Sequence, residues 1–327
     1  MSERKSGTPK PTGRQSAVSI ASGSATGAAH VERHPAMQRD SSRFNPRLRQ
    51  RARFGAAFHV VCFAATTLGV VVLGILLFDV ISDGTRYLSW EFIKGYPSRL
   101  PDRAGILPAV IGSVWTLVLT AVISFPLGVG TAIWMEEYAP ASRWKKVVET
   151  NIANLAGVPS IVYGILGLAV CVRYAALGRS ILAAALTLAL LILPVVIIAS
   201  QEAIKAVPSS IRLGAYALGS TRWETIRYHV FPLAFPGILT GTILALSRAV
   251  GEAAPLIVVG ALAFVPFIPS GPLDQFTVLP IQIYNWINEA KVEFHYVAAS
   301  AILVLLVVLL TMNAVAILLR NRYSRRN

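Results

Sequence analysis

Six apolar segments, each long enough to cross a bilayer as a helix, dominate this sequence of 327 residues. A hydrocarbon core about 30 Å thick requires roughly 20 apolar residues in a helix that rises about 1.5 Å per residue. The predicted spans are residues 55–78, 106–135, 151–172, 180–200, 236–263 and 296–319. Because a helix satisfies its own backbone hydrogen bonds in lipid, the predicted fold class is an all-α integral membrane protein with six transmembrane helices.

The loops between these segments carry positive charge unevenly. With the N-terminus on the cytoplasmic side, the inner tails and loops hold 22 of the 30 lysines and arginines, and the outer loops hold seven. Lysine and arginine accumulate in the cytoplasmic loops of membrane proteins. We therefore expect a multi-pass protein with both termini in the cytoplasm, and this topology explains the net charge of +14 without nucleic-acid binding.

The N-terminal region differs in composition from the rest of the chain. Residues 1–54 are rich in small and polar residues, contain a series of arginines before the first span, and lack hydrophobic periodicity. Such a segment buries too little apolar surface to fold, so we predict a disordered basic cytoplasmic tail at 1–54 and a transmembrane domain at 55–327. The first span is too long for a signal peptide and is expected to remain as an anchor.

The fifth predicted span contains two charged residues. Arg248 and Glu252 interrupt the apolar run from Gly237 to Ala263. Arg248 would lie roughly 16 Å along a helix from Gly237, which predicts a position near the membrane midplane. A charge at that depth costs at least about 2.5 kcal/mol, so it usually faces a bundle interior or a water-filled path. We expect the positive charge to serve an anion.

The loop from Gln201 to Pro236 contains several helix signals. Pro208 suits the first turn of a short helix, and Gly219 suits its left-handed end. The string Thr221-Arg222-Trp223-Glu224 predicts a capping box that opens a second helix, which we expect to end at Pro232. A partner protein's groove could cover the apolar residues of this hairpin, or the hairpin could lie on lipid headgroups. Those residues are Ile211, Leu213, Tyr216, Leu218, Trp223 and Ile226.

Other features of the spans favour packing over chemistry. The spacing Gly237-x-x-x-Gly241 predicts a close helix contact. Glu136, Glu137 and Tyr138, at the inner end of the second span, are interpreted as an interfacial anchor. Each of four prolines (Pro126, Pro159, Pro194 and Pro255) is expected to interrupt a different span.

The hairpin resembles the EAA loop of ABC importer permeases, which docks on the ATPase subunit. Ala215, Gly219 and Pro232 keep the spacing of the Glu-Ala-Ala-x3-Gly-x9-Ile-x-Leu-Pro pattern, and the resemblance implies that Leu218 and Trp223 belong to the same docking hairpin at 201–236. The chain departs from the pattern at Leu213, Gly214, His229 and Phe231.

Three further strings are similar to the PstA-type permeases of phosphate importers. They are NLAGVPSIVYG at 154–164, SWEF at 89–92, and the string from Arg248 to Pro255. The resemblance covers roughly residues 55–320 and implies the importer-type (MetI-like) ABC permease fold in a bacterial inner membrane. It also implies a PstC-type second permease, a dimer of PstB-type ATPase subunits that use ATP and Mg, and a PstS-type phosphate-binding protein. No cofactor is then expected on this chain.

With phosphate as the implied substrate, Arg248, Glu252 and Gly251 become candidate residues of its pathway. A guanidinium offers a permanent charge and a fork of donors to tetrahedral oxyanions. Glu252, four residues on, could partly neutralise an empty site and accept a hydrogen bond from protonated phosphate, which sulfate cannot offer. Gly251 allows close approach of the backbone. The alternative is an internal Arg–Glu pair that satisfies only itself or a neighbouring helix.

The sequence lacks the motifs of an enzyme. No Gly-x4-Gly-Lys-[Ser/Thr] string, nucleophile–His–acid pattern or metal-ligand spacing occurs. We therefore expect a translocation subunit whose energy comes from a separate ATPase. Two alternatives remain open at this point: a permease for sulfate, molybdate or another oxyanion, and a stand-alone secondary anion transporter or channel. Paired internal repeats, which would favour a carrier, are not evident.

Overall fold

The computed structural model describes residues 48–261 and 264–324, and these parts of the chain contain helices and no strand. Their α-helices are α1 (Leu48–Gly84), α2 (Trp90–Lys94), α3 (Leu107–Ile133), α4 (Arg143–Ala156), α5 (Ser160–Gly167), α6 (Ile181–Lys205), α7 (Ser209–Ala217), α8 (Arg222–Thr225), α9 (Phe231–Val250), α10 (Ala254–Val259), α11 (Leu279–Ile287) and α12 (Glu293–Ser324). A 3-10 turn lies at Pro101–Arg103, and π-helical turns lie at Trp134–Tyr138, Leu168–Tyr174 and Ile226–Val230. The predicted all-α class is confirmed.

The chain divides into two units, residues 1–65 and 66–327. The described part of the first unit is the beginning of α1, whose side chains are exposed from Phe54 to Ala65. Residues 48–54, part of the predicted disordered tail, are instead helical, because they consist largely of strong helix formers such as Leu48, Arg49 and Ala52. Residues 1–47 lie outside the described residues, so their disorder stays a prediction.

Five helical segments in the described parts are long and apolar enough to span a membrane, and a bent pair of helices makes up to six. The straight segments are Phe54–Gly84, Leu107–Tyr138, Ile181–Lys205, Arg222–Val250 and Glu293–Arg322. Each corresponds to one predicted span, although most extend beyond the predicted limits. The sixth is the bent pair.

The third predicted span, 151–172, is a bent pair and not a straight helix. The helix Arg143–Ala156 meets the segment Ser160–Tyr174 at 99°. Pro159, between them, lacks a backbone N–H and disfavours helical geometry in the residue before it. The hydroxyl of Tyr163 donates to the backbone carbonyl of Leu155 across the bend at 2.9 Å, which stabilises the angle.

The fifth predicted span, 236–263, begins earlier and ends sooner than expected. One continuous helical segment runs from Arg222 to Val250. The prediction that a helix ends at Pro232 is wrong. Pro232 lies in the first turn of α9, directly after the π-helical turn Ile226–Val230. At that position the missing N–H of proline costs few backbone hydrogen bonds, so the helix continues. Helix α9 stops at Val250, since Pro255 cannot continue it and instead starts α10.

The four prolines of the spans behave in two ways. Pro159 and Pro255 lie at breaks, as expected. Pro126 and Pro194 lie inside α3 and α6, which continue through them, so the expected interruption is wrong at these two positions. In membrane bundles neighbouring groups and small local adjustments can satisfy the backbone groups that proline frees, so a proline does not by itself end a helix.

Helix α6 is the centre of the bundle in the second unit. It packs against α3, α4, α5 and α9, and most of its length is buried. A Cβ at Gly237 of α9 would lie 2.9 Å from the Cβ of Ala203 on α6, and one at Gly241 would collide with Ala199. The predicted close helix contact is therefore confirmed, and it joins α9 to α6 by tight packing of small residues.

The N-terminal end of α6 is closed by the loop Ser270–Asp274. The backbone N–H groups of Ile181 and Leu182 donate to the carbonyls of Asp274 and Pro272 at 3.1 and 2.8 Å. The Asp274 carboxylate accepts from the N–H and hydroxyl of Ser270 and from the N–H of Gly271. These bonds, the one from the Ser270 N–H first, hold the pKa of Asp274 below its usual range.

Candidate functional site

The hairpin after α6 has the predicted form of helix, glycine turn and helix. Helix α7 ends at Ala217, and Gly219 takes a left-handed φ of +85°, which a residue with a side chain rarely adopts. The capping box is present: the Glu224 N–H donates to the Thr221 hydroxyl at 3.3 Å, and the Thr221 N–H donates to the Glu224 carboxylate at 2.8 Å. Local sequence signals therefore set the shape of the hairpin.

The tip of the hairpin presents apolar side chains that the described chain leaves uncovered. Leu218 is 89% exposed, Leu213 is 67% exposed and Trp223 is 57% exposed. Ala215 is buried and its carbonyl accepts the Ser220 N–H at 3.1 Å, so it holds the turn together. Pro232 lies away from the turn, in the first turn of α9. Large exposed apolar groups in a cluster are typical of a protein-binding surface.

The root of the hairpin is fixed to α3 by an ion pair. Arg212, on α7, donates from Nη2 to Glu137 Oε1 at 2.7 Å and from Nε to the same oxygen at 3.0 Å. Its other donors reach the carbonyls of Val207 at 2.8 Å and Ile204 at 3.0 Å, at the end of α6. The guanidinium thus joins three helical elements. We call this arrangement of Arg212, Glu137 and the two carbonyls the root junction.

Glu136, the neighbour of Glu137, makes polar contacts with a second set of side chains. Gln201 Nε2 donates to its Oε1 at 2.9 Å, and the Nζ atoms of Lys145 and Lys205 lie 3.6 and 3.7 Å from its carboxylate oxygens. Both glutamates belong to the π-helical turn at the end of α3. Glu136 therefore connects α3 to α4 and α6, while Glu137 connects it to α7.

Sequence reasoning missed Arg212 and treated the two glutamates as an interfacial anchor. Arg212 and Glu137 are 75 residues apart, so no local spacing links them. The available signal was two adjacent acids at the end of an apolar span, together with a later loop, 201–236, that carries four basic residues. Burial of such acids requires partners, and this argument could have suggested the pair.

The predicted pathway residues lie together at the end of α9. Arg248 Nε is 3.5 Å from Glu252 Oε1, with the arginine side chain 57% exposed and the glutamate side chain 19% exposed. Arg248 is in the last turn of α9 and not in the middle of a longer helix, because the chain breaks at 251–253. The Gly251 N–H donates to the Arg248 carbonyl at 3.1 Å within that turn.

After the break, the string that ends at Pro255 comes into contact with the string 154–164. Helix α10 packs against α5. A Cβ at Gly164 would lie 2.7 Å from the Cα of Pro255 and 2.9 Å from its carbonyl oxygen, so only glycine permits this approach. The string 154–164 therefore supports the chain that follows Arg248 and Glu252.

A further cavity lies among residues of α11 and the neighbouring loops. It has a volume of about 460 Å³, and Gln282, Trp286 and Phe294 form its buried wall, with Arg99 and Lys291 at its exposed edge. Among the described residues no group of three or more His, Cys, Asp or Glu side chains could hold a metal ion.

Comparison with known proteins gives the family. The sequence profile described as "Binding-protein-dependent transport system inner membrane component" matches residues 124–326. The chain is 37% identical over 246 residues to the probable ABC transporter permease protein YqgH of Bacillus subtilis, covering 73% of this chain and 76% of the relative. It is 34% identical over 275 residues to the phosphate transport system permease protein PstA 1 of Mycobacterium tuberculosis H37Rv, covering 81% and 86%.

Solved structures share the fold at low sequence identity. A bacterial alginate ABC transporter crystallised with an alginate-bound periplasmic protein contains a chain with a TM-score of 0.60 and 15% identity, covering 86% of this chain and 98% of that one. The MetNI methionine ABC transporter, facing inward, gives a TM-score of 0.55 at 15% identity, covering 67% and 97%. The fold is that of importer permeases, and the chain belongs to the family of binding-protein-dependent transport system inner membrane components.

Proposed function

We propose that this chain is a permease subunit of an ATP-driven phosphate importer and forms half of its translocation pathway. The observation that supports phosphate most strongly is the 30–34% identity, over most of the chain, to permeases named for phosphate transport in several bacteria. The charged pair at the end of α9 adds a chemical reason, because it places a guanidinium in an otherwise apolar span.

Arg248 is the residue proposed to meet the anion. Its side chain is mostly exposed although α9 is a membrane-spanning helix, so its own chain does not cover the charge. An uncovered guanidinium at that place requires water, an anion or a second subunit beside it. A pathway between two permease subunits would supply all three. The fork of donors suits a tetrahedral oxyanion, and a pathway must also release it, so contact is expected to be transient.

Glu252 and Gly251 complete the proposed pathway site. The carboxylate of Glu252 lies close enough to reduce the field of Arg248 when no anion is bound, and at 3.5 Å the contact is loose enough to be displaced. Glu252 can also accept a hydrogen bond from a protonated phosphate oxygen, which distinguishes phosphate from sulfate. Gly251 leaves the backbone beside them open, because a Cβ there would meet little besides the Arg248 carbonyl, 3.7 Å away.

The exposed tip of the hairpin is proposed to dock on the ATPase subunit. Leu218 and Trp223 supply the apolar contact, Gly219 and Ala215 set the turn that presents them, and Pro232 lies where the hairpin continues into α9. Docking of an apolar patch into a partner's groove buries surface at about 25 cal/mol per Å² before the costs of association. ATP and Mg would bind on the ATPase and not on this chain.

The complete importer would contain further chains. We propose a second permease of the PstC type, two ATPase subunits of the PstB type and an extracytoplasmic phosphate-binding protein of the PstS type, with lipid around the bundle. The excess of lysine and arginine in alternate loops supports an orientation with both termini in the cytoplasm of a bacterium. The hairpin would then face the ATPase.

Uptake of labelled phosphate into proteoliposomes that carry the complete importer tests this function. We expect uptake to require the ATPase subunit and ATP, and to be competed by unlabelled phosphate far better than by sulfate or molybdate. Weak uptake of labelled phosphate that sulfate or molybdate competes better than unlabelled phosphate does would assign another oxyanion. Uptake by the permease subunits without the ATPase would assign a secondary transporter.

A further inference from the structure

The root junction ties the hairpin to the bundle more firmly than a connecting loop requires. We propose that the Arg212–Glu137 pair is the positioning link that makes α3 and the end of α6 follow a movement of the hairpin. This inference rests on the proposed function only in that the hairpin docks on an ATPase, and it does not depend on which anion is carried.

The first argument is connectivity. A single guanidinium donates to a carboxylate on the π-helical turn of α3 and to two backbone carbonyls at the end of α6. Arg212 itself is on α7, in the hairpin. A displacement of α7 must therefore either carry both spans with it or break four hydrogen bonds at once. Lysine could not replace this geometry, because it lacks the planar fork.

The second argument is burial. The side chain of Glu137 is 6% exposed and that of Arg212 is 20% exposed. Ion pairs at such positions are screened less by water and salt than surface pairs are. Removal of one partner leaves the other charge buried without compensation, so separation of the pair is costly. The Arg212–Glu137 pair is therefore expected to stay together under forces that would separate a surface ion pair.

The third argument is the apolar packing directly beside the pair. Ile211, the preceding residue, packs against a buried cluster that unites the same ends of α3, α6 and α9. The cluster consists of Val129, Ala132, Ile204, Val207, Val230, Ala234 and Ile238. The first turn of α7 thus has one apolar and one ionic attachment to the bundle, whereas the tip carries exposed Leu218 and Trp223. The hairpin is free at the end that meets a partner and fixed at the end that meets the spans.

The test measures coupling and not only activity. The complete importer is reconstituted with Glu137→Gln or Arg212→Lys, and phosphate uptake and ATP hydrolysis are measured on the same vesicles. We expect the phosphate carried per ATP hydrolysed to fall roughly 5- to 10-fold, at the low end of the coupling usually found between distant sites. ATP hydrolysis and assembly of the complex should persist.

Arg143→Gln is the matched control, because Arg143 begins α4, outside both the hairpin and the root junction, and its side chain is exposed. It should keep the wild-type ratio. The double variant Glu137→Gln with Arg212→Lys should be no worse than the poorer single variant, since both remove one link.

Three results would overturn the inference: an unchanged ratio in both single variants, a parallel loss of uptake and hydrolysis at constant ratio, or failure of both variants to assemble. Each would give the pair a purely structural role. Failure of the wild-type importer to carry phosphate with ATP would instead count against the proposed function, and the ratio could then be measured with whichever anion is carried.

Discussion

Two arginine–glutamate pairs, one at the end of α9 and one in the root junction, differ in almost every physical respect. At the end of α9, Arg248 and Glu252 approach to 3.5 Å, and the guanidinium is mostly exposed. At the root junction, Arg212 and Glu137 approach to 2.7 Å, both side chains are largely buried, and two backbone carbonyls complete the arginine's contacts.

The difference shows how one pair of residue types can serve opposite purposes. A charge that must bind and release a passing anion needs a weakly held partner and access to solvent, and Arg248 has both. A charge that must hold two elements together needs short bonds and little solvent, which describes Arg212. An exposed ion pair contributes only about 0.2–1 kcal/mol, whereas breaking a buried pair costs about 3–5 kcal/mol.

Removal of the Arg248 charge should have the largest effect on transport. Arg248→Gln is expected to lower phosphate uptake about 10- to 100-fold, because a hydrogen bond to a charged group contributes roughly 1.5–3 kcal/mol. Uptake of labelled phosphate by the complete importer is the measurement. Arg248→Lys, which keeps the charge, should retain more activity. Full uptake by Arg248→Gln would show that Arg248 and Glu252 are not part of the phosphate pathway.

A methyl group at Gly164 should disturb the chain that follows the loose pair. In Gly164→Ala the new Cβ would lie 2.7 Å from the backbone of Pro255, so α5 and α10 must separate, at a cost of about 1–3 kcal/mol. Thermal unfolding of the purified protein in detergent checks this. Gly130→Ala is the control, because nothing lies within 4 Å of a Cβ there, and it should be neutral or stabilising by up to about 1 kcal/mol. Equal stability of the two variants would contradict the close contact.

Loss of the cap at Thr221 should loosen the hairpin while leaving the root junction intact. Thr221→Ala is expected to destabilise the start of α8 by about 0.5–2 kcal/mol, seen as faster amide hydrogen exchange at residues 221–225. Thr131→Ala is the control, since its hydroxyl donates to the Leu127 carbonyl within α3 and caps no helix. Faster exchange that spreads to 209–212 would show that the tip and the root are not independent.

Glu252→Gln should have the smallest effect of these substitutions. The loss of a loose pair should change stability by no more than about 0.5 kcal/mol. The variant should also discriminate less well between phosphate and sulfate, because an amide can donate to fully ionised sulfate where a carboxylate cannot. Competition by sulfate in the uptake assay measures this. An unfolded or unassembled Glu252→Gln protein would mean that this pair is structural, like the one at the root.

Local sequence signals predicted local structure well. The apolar spans, the capping box from Thr221 to Glu224, the left-handed Gly219 and the close helix contact at Gly237 and Gly241 all follow from local patterns. Each of these features depends on the chemistry of adjacent side chains or on one helical repeat. Such features can be seen in the sequence without knowledge of the rest of the fold.

Features that depend on distant partners or on one extra residue in a turn were missed. The π-helical turn at Ile226–Val230 allows the helix to pass Pro232, and nothing in its composition separates it from an α-helical turn. The 99° bend between α4 and the segment Ser160–Tyr174 is stabilised by the hydrogen bond from Tyr163 to Leu155, which Pro159 alone does not reveal. The pairing of Arg212 with Glu137 requires that α3, α6 and α7 be packed first.

The uninterrupted helical segment from Arg222 to Val250 also has a geometric consequence. Its 29 residues make a rod about 43 Å long at 1.5 Å per residue, with the hairpin at one end and the Arg248 guanidinium near the other. A rotation of about 5° about the hairpin end would carry the far end sideways by roughly 4 Å, more than the span of one hydrogen bond. Rotations too small to disturb the packing at the hairpin end are therefore large enough, at the Arg248 end, to make or break contact with a single ion.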